Sequence, residues 1–301
     1  MTDESRLLAR ASAPAKLNLS LTITGKRPNG YHEIESLMVP IELADTISLY
    51  RADPGNGISV ECAWPGVPQD DSNLVVKAAR LFFEKAGGGM DLLIGIEKSI
   101  PPGAGLGGGS SNAATVLVLL NSLSGAPFDE AALCGMAARL GSDVPFFISK
   151  RPSVATGLGE ILAPVQEIFP YYVVLAYPGF GLATKEVYGR FNFTLTRPVK
   201  IHRLRILKDG AKGALCVETG PEHLKGLLYN DLEAPALAIR PEISAVKRAV
   251  MDAGAAGSLM TGSGSAVFGL FTDPEKARAA RDFIGSNHEK WMVFLTRITG
   301  G

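Results

Sequence analysis

The residues with the clearest chemical use form a glycine-rich run about a third of the way along the chain. Five of the seven positions from 103 to 109 are glycine, and two serines follow. A phosphate group needs several backbone N–H donors converging on it, and residues without a Cβ let the main chain approach closely and adopt positive φ. The pattern predicts a phosphate-binding loop. The run comprises Pro101, Pro102, Gly103, Ala104, Gly105, Leu106, Gly107, Gly108, Gly109, Ser110 and Ser111.

The flanks of this run favour a ligand over a plain connection. A strand-like stretch, 92–96, precedes it, and an apolar stretch with helical character, 113–120, follows it. The positive end of such a helix points at the same anion as the loop. Ser110 and Ser111 can cap the helix, bind phosphate oxygens or help to hold Mg²⁺.

Three other interpretations of the glycine-rich run can be compared: a Walker A loop, a dinucleotide-binding loop and a connection without a ligand. It is not a Walker A loop, because no Gly-Lys-Ser/Thr follows. Gly103, Gly105 and Gly108 satisfy the dinucleotide G-x-G-x-x-G spacing. A Rossmann site, however, normally has an acid about 20 residues later, and the next acid here, Asp129, is typical of a helix cap. A glycine-rich connection without a ligand is disfavoured by the number of glycines between strand and helix.

Composition and charge exclude several classes of protein. At 301 residues, with 46% hydrophobic and 20% charged residues, the chain fits one large or two ordinary folded domains. Thirty basic and thirty acidic residues cancel, so no overall field recruits nucleic acid or an anionic membrane. The three isolated cysteines indicate neither a disulfide framework nor a metal site. No signal peptide or transmembrane-length apolar run is evident, and we expect a cytoplasmic protein.

Strands and helices follow one another irregularly, which favours an α+β fold over a strict βαβ repeat. A domain change is expected between Gly159 and Tyr171, giving an N-terminal domain of residues 1–163 and a C-terminal domain of residues 164–301. The least regular stretch is 194–219. Besides 92–96, strand-like runs occur at 46–49, 172–176, 266–271 and 292–296. The expected helices are one capped by Ser72 or Asp71 and ending near Gly87, one between Asp129 and Gly141, and one from Pro241 to Gly254.

Three segments resemble, in the expected order, the motifs of the GHMP kinase superfamily, which includes galactokinase, homoserine kinase and mevalonate kinase. They are 13–19, the glycine-rich run, and 260–268, a glycine-rich turn expected beside the phosphates. The resemblance implies an N-terminal ATP-binding domain like ribosomal protein S5 domain 2 and a ferredoxin-like C-terminal domain on the substrate side. It also implies an active site in the cleft between them.

Further segments resemble one branch of the superfamily. This branch serves the non-mevalonate isoprenoid pathway and phosphorylates an alcohol that carries a cytidine diphosphate group. The resemblance implies that this small molecule is the partner, that ATP and Mg²⁺ are the cofactors, and that the protein is a monomer or weak homodimer. Apart from Ser111, the Mg²⁺ ligands are unassigned. No nucleic acid or membrane partner is expected. The segments begin at Gly30, Asp71, Gly141, Gly157 and Asn230.

The resemblance assigns catalysis to Lys16 and Asp143. Asp143 would take the proton from the attacking hydroxyl, and Lys16 beside it would keep the carboxylate ionised and oriented. From the pattern alone, an Asp between Gly-Ser and Val-Pro is more often a turn or cap residue. A lone Lys in a strand-like run is more often a solvated edge charge. Asn73 and Leu74 fall at the adenine position, although Asn73 can equally cap a helix.

Substrate recognition follows from the same resemblance. Tyr31 and Tyr188 would sandwich the cytosine ring, and His32 would hydrogen-bond its polar edge. Aromatic residues after the turn at Gly30 can otherwise pack beneath a hairpin. The implied substrate-binding residues are Asn18, Tyr31, His32, Thr184, Tyr188, Gly262 and Ser263.

Two competing functions stay open. A kinase for another alcohol, such as homoserine or mevalonate, has no base to stack, and Tyr31, His32 and Tyr188 argue against it. A ligand sensor that binds ATP without catalysis would not need both Lys16 and Asp143.

Overall fold

The computed structural model describes residues 4–192, 206–208 and 215–299. It contains two compact units, each built from several stretches of chain. Units of this kind do not test whether the domain boundary lies between residues 163 and 164, and that boundary stays a prediction. The first unit comprises Met1–Ala15, Leu43–Pro102 and Gly107–Lys150; the second comprises Lys16–Glu42, Gly103–Leu106 and Arg151–Gly301.

Two long strands contribute residues to both units. β1 spans Leu7–Lys26 and β2 spans His32–Arg51. The sequence predicted a strand at 46–49, inside β2, and a strand-like run around Lys16, inside β1. The full length of the two strands was not predicted, and Pro14 and Pro40 are residues that argue against a strand interior. The turn expected at Gly30 joins the two strands, with Gly30 at a φ of +87°.

The first unit packs helices beside strands. Within it, the second half of β2 pairs antiparallel with β4 (Leu92–Glu97), and β4 pairs parallel with β3 (Ile58–Cys62). Phe82 on α1 is fully buried and meets Phe128 edge to face, with ring centroids 5.5 Å apart. The elements are a 3₁₀ turn at Glu4–Arg6, then β3 (Ile58–Cys62), α1 (Leu74–Ala86), β4 (Leu92–Glu97), α2 (Gly108–Leu123), α3 (Glu130–Leu140) and α4 (Phe146–Ser149).

The helix ends of the first unit correct two sequence predictions. α1 is capped by Asn73, whose Oδ1 accepts from Val75 N at 3.1 Å, and not by Ser72 or Asp71. α2 has Gly107 at its N-cap without a side-chain cap bond, so Ser110 and Ser111 lie inside the helix and do not cap it. The glycines at 108 and 109 take helical geometry, which starts the helix earlier than its apolar stretch suggests. The end of α1 at Gly87 and the cap of α3 at Asp129 are confirmed.

The second unit contains an antiparallel sheet of four strands, in the order β11 (Gly257–Met260), β12 (Val267–Phe271), β7 (Tyr172–Tyr177) and β13 (Met292–Arg297). With α8 between β7 and β11, and α9 between β12 and β13, this is the order of a βαββαβ ferredoxin-like fold, which confirms the expectation. The elements are β5 (Ser153–Thr156), β6 (Ile161–Pro164), β7 (Tyr172–Tyr177), α5 (Thr184–Gly189), β8 (Ile206–Lys208), β9 (Leu215–Val217), a 3₁₀ turn at Pro221–His223, α6 (Leu224–Leu227), β10 (Tyr229–Asn230), α7 (Glu233–Ile239), α8 (Ile243–Asp252), β11 (Gly257–Met260), β12 (Val267–Phe271), α9 (Pro274–Asn287) and β13 (Met292–Arg297).

The core of the second unit lies between this sheet and its helices. α8 buries one face with a helical spacing of three and four residues, which confirms the helix predicted between Pro241 and Gly254. The strands predicted at 172–176, 266–271 and 292–296 correspond to β7, β12 and β13. Of the stretch 194–219, only 206–208 and 215–219 are described, and the remainder lies outside the described residues. Fully buried core side chains include Val174, Ile243, Val246, Val250, Val267 and Ile284.

Among the residues that the structure describes, no helix is both long and apolar enough to cross a membrane.

Candidate active site

The glycine-rich loop meets the third motif through a very close backbone approach. A Cβ atom on Gly105 would lie 2.2 Å from the carbonyl oxygen of Thr261, and one on Gly262 would lie 2.9 Å from the carbonyl oxygen of Gly105. Both glycines have positive φ, +79° and +56°. Glycine is therefore required at both positions by space and by backbone conformation.

Hydrogen bonds fix which way the peptide groups of the loop point. The carbonyl oxygens of Gly103, Ala104 and Leu106 accept from Leu182 N, Ala266 N and Lys16 N at 3.1, 3.2 and 3.0 Å. A planar trans peptide places its C=O and N–H on opposite sides. The N–H groups that follow these three carbonyls are consequently directed away from the anchoring backbone, as a phosphate loop requires.

Lys16 lies on β1 and is buried, with 3% of its surface exposed. Its Nζ donates to Asn18 Oδ1 at 2.5 Å, and Asn18 Nδ2 donates to Ser36 Oγ at 2.7 Å. Ser36 Oγ in turn donates to the carbonyl oxygen of Ser20 at 2.5 Å. The interpretation of Lys16 as a solvated edge charge is thus wrong. A buried chain of hydrogen bonds fixes the position of the ammonium group.

The turn of the third motif lies against this chain. A Cβ on Gly262 would be 3.3 Å from both Lys16 Nζ and Asn18 Oδ1. Asn18 N donates to Thr261 Oγ1 at 3.1 Å. Asn230 supports the turn from outside, because its Nδ2 donates to the carbonyl oxygens of Met260 and Gly262, each at 2.8 Å. Three predicted residues, Lys16, Asn18 and Gly262, are therefore brought together.

A second pair of predicted substrate residues also meets. The hydroxyl oxygens of Thr184, at the start of α5, and Ser263 are 3.0 Å apart. α5 also carries Tyr188, whose ring centroid lies 5.5 Å from that of His32 with the rings tilted by 31°. Because Thr184 and Tyr188 lie on one short helix, α5 brings their distant partners, Ser263 and His32, into one region of the second unit.

The aromatic cluster around His32 includes a residue that the sequence did not single out. Phe191 meets the His32 ring edge to face, with centroids 5.9 Å apart. Partial burial lowers the pKa of His32 below its ordinary value, and the positive charge of Lys26 lowers it further. The imidazole is accordingly neutral at pH 7, with one donor and one acceptor nitrogen. Tyr31 is 62% exposed, so the alternative of a ring packed beneath a hairpin is wrong.

The remaining predicted residues lie in the first unit. Asp143 is half-buried in the turn between α3 and α4, and its pairing with Lys16 stays a prediction. Asn73 uses Oδ1 in the helix cap and donates Nδ2 to the carbonyl oxygen of Pro68 at 2.6 Å, so its amide already has structural partners. Leu74 is the first residue of α1. Ser111 is fully buried, and its Oγ has no hydrogen-bond partner among the described residues.

Sequence reasoning missed Ser36 and Thr261, which accept hydrogen bonds from Asn18 and so help to hold Lys16 in place. The sequence of β1 contained a signal for these hydrogen bonds. Asn18 and Ser20 alternate with Leu17, Leu19 and Leu21, and both faces of the strand are buried. Polar side chains at buried strand positions need partners. The sequence does not reveal which distant residue supplies them.

Comparison with known proteins agrees with this geometry. Residues 73–151 match the model of the GHMP kinases N terminal domain, and residues 216–290 match that of the GHMP kinases C terminal. Homoserine kinase from Cytophaga hutchinsonii shares the fold, with a TM-score of 0.68 at 16% identity over 99% of this chain and 96% of that one. The fold and the three motif segments, 13–19, 101–111 and 260–268, define a GHMP kinase.

More similar relatives narrow the family. The 4-diphosphocytidyl-2-C-methyl-D-erythritol kinase of Syntrophotalea carbinolica is 41% identical over 94% of this chain and 96% of the relative. That of Syntrophus aciditrophicus is 36% identical over 95% and 97%. A crystal structure of 4-(cytidine 5'-diphospho)-2C-methyl-D-erythritol kinase superposes with a TM-score of 0.77 at 34% identity, over 97% of this chain and 100% of that one. The chain belongs to the 4-diphosphocytidyl-2-C-methyl-D-erythritol kinase family.

The contact at Gly105 gives a prediction with a matched control. Gly105 and Gly125 both have a φ of +79°, but a Cβ on Gly125 would meet no atom within 4 Å. Alanine at either position is strained by about 1–2 kcal/mol, whereas only Gly105→Ala collides with the Thr261 carbonyl. We expect Gly105→Ala to lower the melting temperature more and to weaken binding of a non-hydrolysable ATP analogue in calorimetry. Equal behaviour of the two variants would contradict the assigned loop contact.

The buried hydrogen bonds that link Lys16, Asn18 and Ser36 give a second prediction. Ser36→Ala leaves Asn18 Nδ2 without its acceptor, which costs about 1–3 kcal/mol of stability, and frees the group that orients Lys16. We expect kcat to fall by about tenfold or more, because small misplacements of reacting groups are costly. The control is Ser258→Ala, which removes a buried hydroxyl that has no partner among the described residues. A normal kcat in Ser36→Ala would show that Asn18 does not need Ser36.

Proposed function

We propose that the protein transfers the terminal phosphoryl group of ATP to the 2-hydroxyl of 4-diphosphocytidyl-2-C-methyl-D-erythritol, giving the 2-phosphate and ADP. This step belongs to non-mevalonate isoprenoid precursor biosynthesis. The observation that carries the proposal is the buried Lys16, held by Asn18 against Gly262 and joined through its own N–H to the glycine-rich loop. The choice of substrate is supported by the similar relatives, which are 4-diphosphocytidyl-2-C-methyl-D-erythritol kinases.

ATP is bound in this proposal by the glycine-rich run from Pro101 to Ser111. Its anchored carbonyl groups leave backbone N–H donors for the phosphates, and α2 adds the positive end of its dipole. Leu74 supplies an apolar contact for adenine. Asn73 contributes through its place at the cap of α1 more than through its amide, whose two ends already have structural partners.

Phosphoryl transfer depends chiefly on positioning and charge neutralisation. Asp143 takes the proton from the 2-hydroxyl as the oxygen attacks the terminal phosphorus and the bond to ADP breaks. Lys16 stabilises the charge that develops on the attacking oxygen and orients Asp143. The buried hydrogen-bond chain through Asn18 supports this role, because a fixed ammonium group needs no reorganisation during the reaction.

The residues present fit Mg²⁺ bound chiefly through substrate phosphates. Among the described residues, no group of three or more His, Cys, Asp or Glu side chains is suited to a metal ion. Mg²⁺ usually keeps several waters and takes one or two protein ligands plus phosphates. The unpartnered Oγ of Ser111, in the first turn of α2, suits such a ligand. When bound, the ion would neutralise charge on the transferred phosphoryl group.

Recognition of the cytidine group is assigned to the aromatic cluster of the second unit. Tyr188 stacks on one face of the cytosine and the exposed Tyr31 on the other. His32, neutral at pH 7, offers one donor and one acceptor to the polar edge of the base. Thr184, Ser263 and Asn18 contact the rest of the substrate, and Gly262 contributes through its backbone in the turn beside Asn18.

The competing functions are less well supported. Homoserine and mevalonate have no ring for this aromatic cluster, and solved kinases for them share only the fold at 13–16% identity. A non-catalytic sensor would have no use for a buried lysine held by a buried hydrogen-bond chain. A cytoplasmic location and a monomer or weak homodimer stay predictions.

Substitution of the two proposed catalytic residues tests the chemistry. Asp143→Asn should keep both substrates bound while lowering kcat by about 10²–10⁴-fold, the usual cost of losing a positioned base. Lys16→Met should be comparably damaging. If the residues act as one unit, the double variant is little worse than either single variant. Full additivity of the two losses in a coupled ADP-release assay would show that they act independently.

Substrate choice tests the cytidine assignment. The wild-type enzyme should use methylerythritol phosphate very poorly, because the binding energy of the remote cytidine is lost. Similar values of kcat/KM for this alcohol and the diphosphocytidyl substrate would remove the assignment.

The ring of Tyr188 can be tested separately. Tyr188→Ala should raise KM for the diphosphocytidyl substrate by the equivalent of about 1–3 kcal/mol of lost stacking, with little change in KM for ATP. Tyr188→Phe keeps the ring and serves as the matched control. An unchanged KM in Tyr188→Ala would show that this ring does not stack on the base.

A further inference from the structure

A buried ion pair lies at the entrance to the glycine-rich loop. Asp45 Oδ2 accepts from Lys98 Nζ at 2.5 Å, and the two side chains are 0% and 5% exposed. Most ion pairs of the described residues lie at the surface, as Arg6 and Asp53 do. Burying two charges costs much of what their attraction returns. A gain in stability alone therefore does not explain why Asp45 and Lys98 form a buried ion pair. The position of the pair beside the loop suggests another role.

The second oxygen of Asp45 binds the backbone that leads into the loop. Oδ1 accepts from Ser99 N and Ile100 N, each at 2.8 Å. With the bond to Lys98, one carboxylate fixes three consecutive residues immediately before Pro101. Bonds from backbone N–H groups to an ionised carboxylate are stronger than neutral ones. The entrance of the loop consequently has little freedom to move.

The same residues support the exit of the loop. A Cβ on Gly108, the first residue of α2, would lie 3.0 Å from Ile100 Cγ2 and 3.1 Å from Lys98 Nζ. The start of α2 thus lies directly on the segment that Asp45 holds. Both ends of the loop, at Ile100 and Gly108, are kept together by this contact.

Charge adds a further reason for the pair. The ammonium group of Lys98 lies beside the positive end of α2, which disfavours a cation. The N-cap residue, Gly107, offers no side-chain acceptor that would offset this. Asp45 supplies the compensating negative charge from the side. It does so without placing an anion in the loop itself, where a phosphate would bind.

We propose that Asp45 is a positioning residue of the phosphate loop, acting through Lys98 and the backbone at Ser99 and Ile100. It holds the entrance and exit of the loop at the spacing that ATP requires. This inference rests on the proposed ATP-binding role of the loop, and concerns nucleotide affinity and not recognition of the alcohol.

Charge-removal variants separate this role from a purely structural one. Asp45→Asn or Lys98→Met leaves an unpaired buried group, and each should lower the melting temperature by about 5–10 °C. The double variant Asp45→Asn/Lys98→Met removes both charges and should regain most of that loss. Asp53→Asn, which breaks the exposed pair with Arg6, is the matched control and should leave stability and binding unchanged.

The deciding readout is affinity for a non-hydrolysable ATP analogue with Mg²⁺, measured by calorimetry on each full-length variant. We expect binding to weaken by about one to two orders of magnitude in Asp45→Asn and in the restabilised double variant, with KM for the alcohol unchanged. Wild-type affinity in the double variant would overturn the proposal and leave the pair a structural feature. Binding by the unaltered enzyme reports separately on the proposed function, so the two failures are distinguishable.

Discussion

The backbone at Gly105 lies so close to the turn at Thr261 and Gly262 that no side chain fits between them, and the rest of the site depends on this contact. It joins two segments that are more than 150 residues apart in sequence. The flanking bond from Ala266 N to the Ala104 carbonyl keeps the two turns in register. Both turns have positive φ at this contact, which explains why each carries glycine there.

The same contact helps to fix where Lys16, the proposed catalytic lysine, lies. Lys16 N donates to the carbonyl oxygen of Leu106, and its side chain reaches Asn18 beside Gly262. A buried ammonium group is costly unless it is well partnered. The chain through Asn18 and Ser36 supplies that partnership, so the positions of the loop and the lysine are fixed by one connected set of backbone and side-chain bonds.

Local features of the fold were predictable, whereas the tertiary partners were not. Gly87 and Asp129 mark helix ends through backbone geometry and capping, which the sequence states directly, and the strands at β7, β12 and β13 follow from short apolar runs. The cap of α1 is Asn73, which confirms the alternative interpretation of that residue over a cap at Ser72 or Asp71, because neighbouring polar residues compete for that position. Ser36 and Asp45 bind residues distant in sequence, and no pattern around them identifies the partner. The several stretches that build each unit cannot be recognised from local patterns, because β1 and β2 each contribute residues to both units.

The most direct test of the account is hydrogen–deuterium exchange of the wild-type enzyme with and without a non-hydrolysable ATP analogue and Mg²⁺. The central claim is that the backbone N–H groups after Gly103, Ala104 and Leu106 bind the phosphates. Peptides covering 103–111 should therefore exchange more slowly when the nucleotide is bound, while peptides covering the surface turn at Gly125 should not change. Unchanged exchange across 103–111, under conditions where calorimetry shows the nucleotide bound, would contradict the claim and place the phosphates elsewhere.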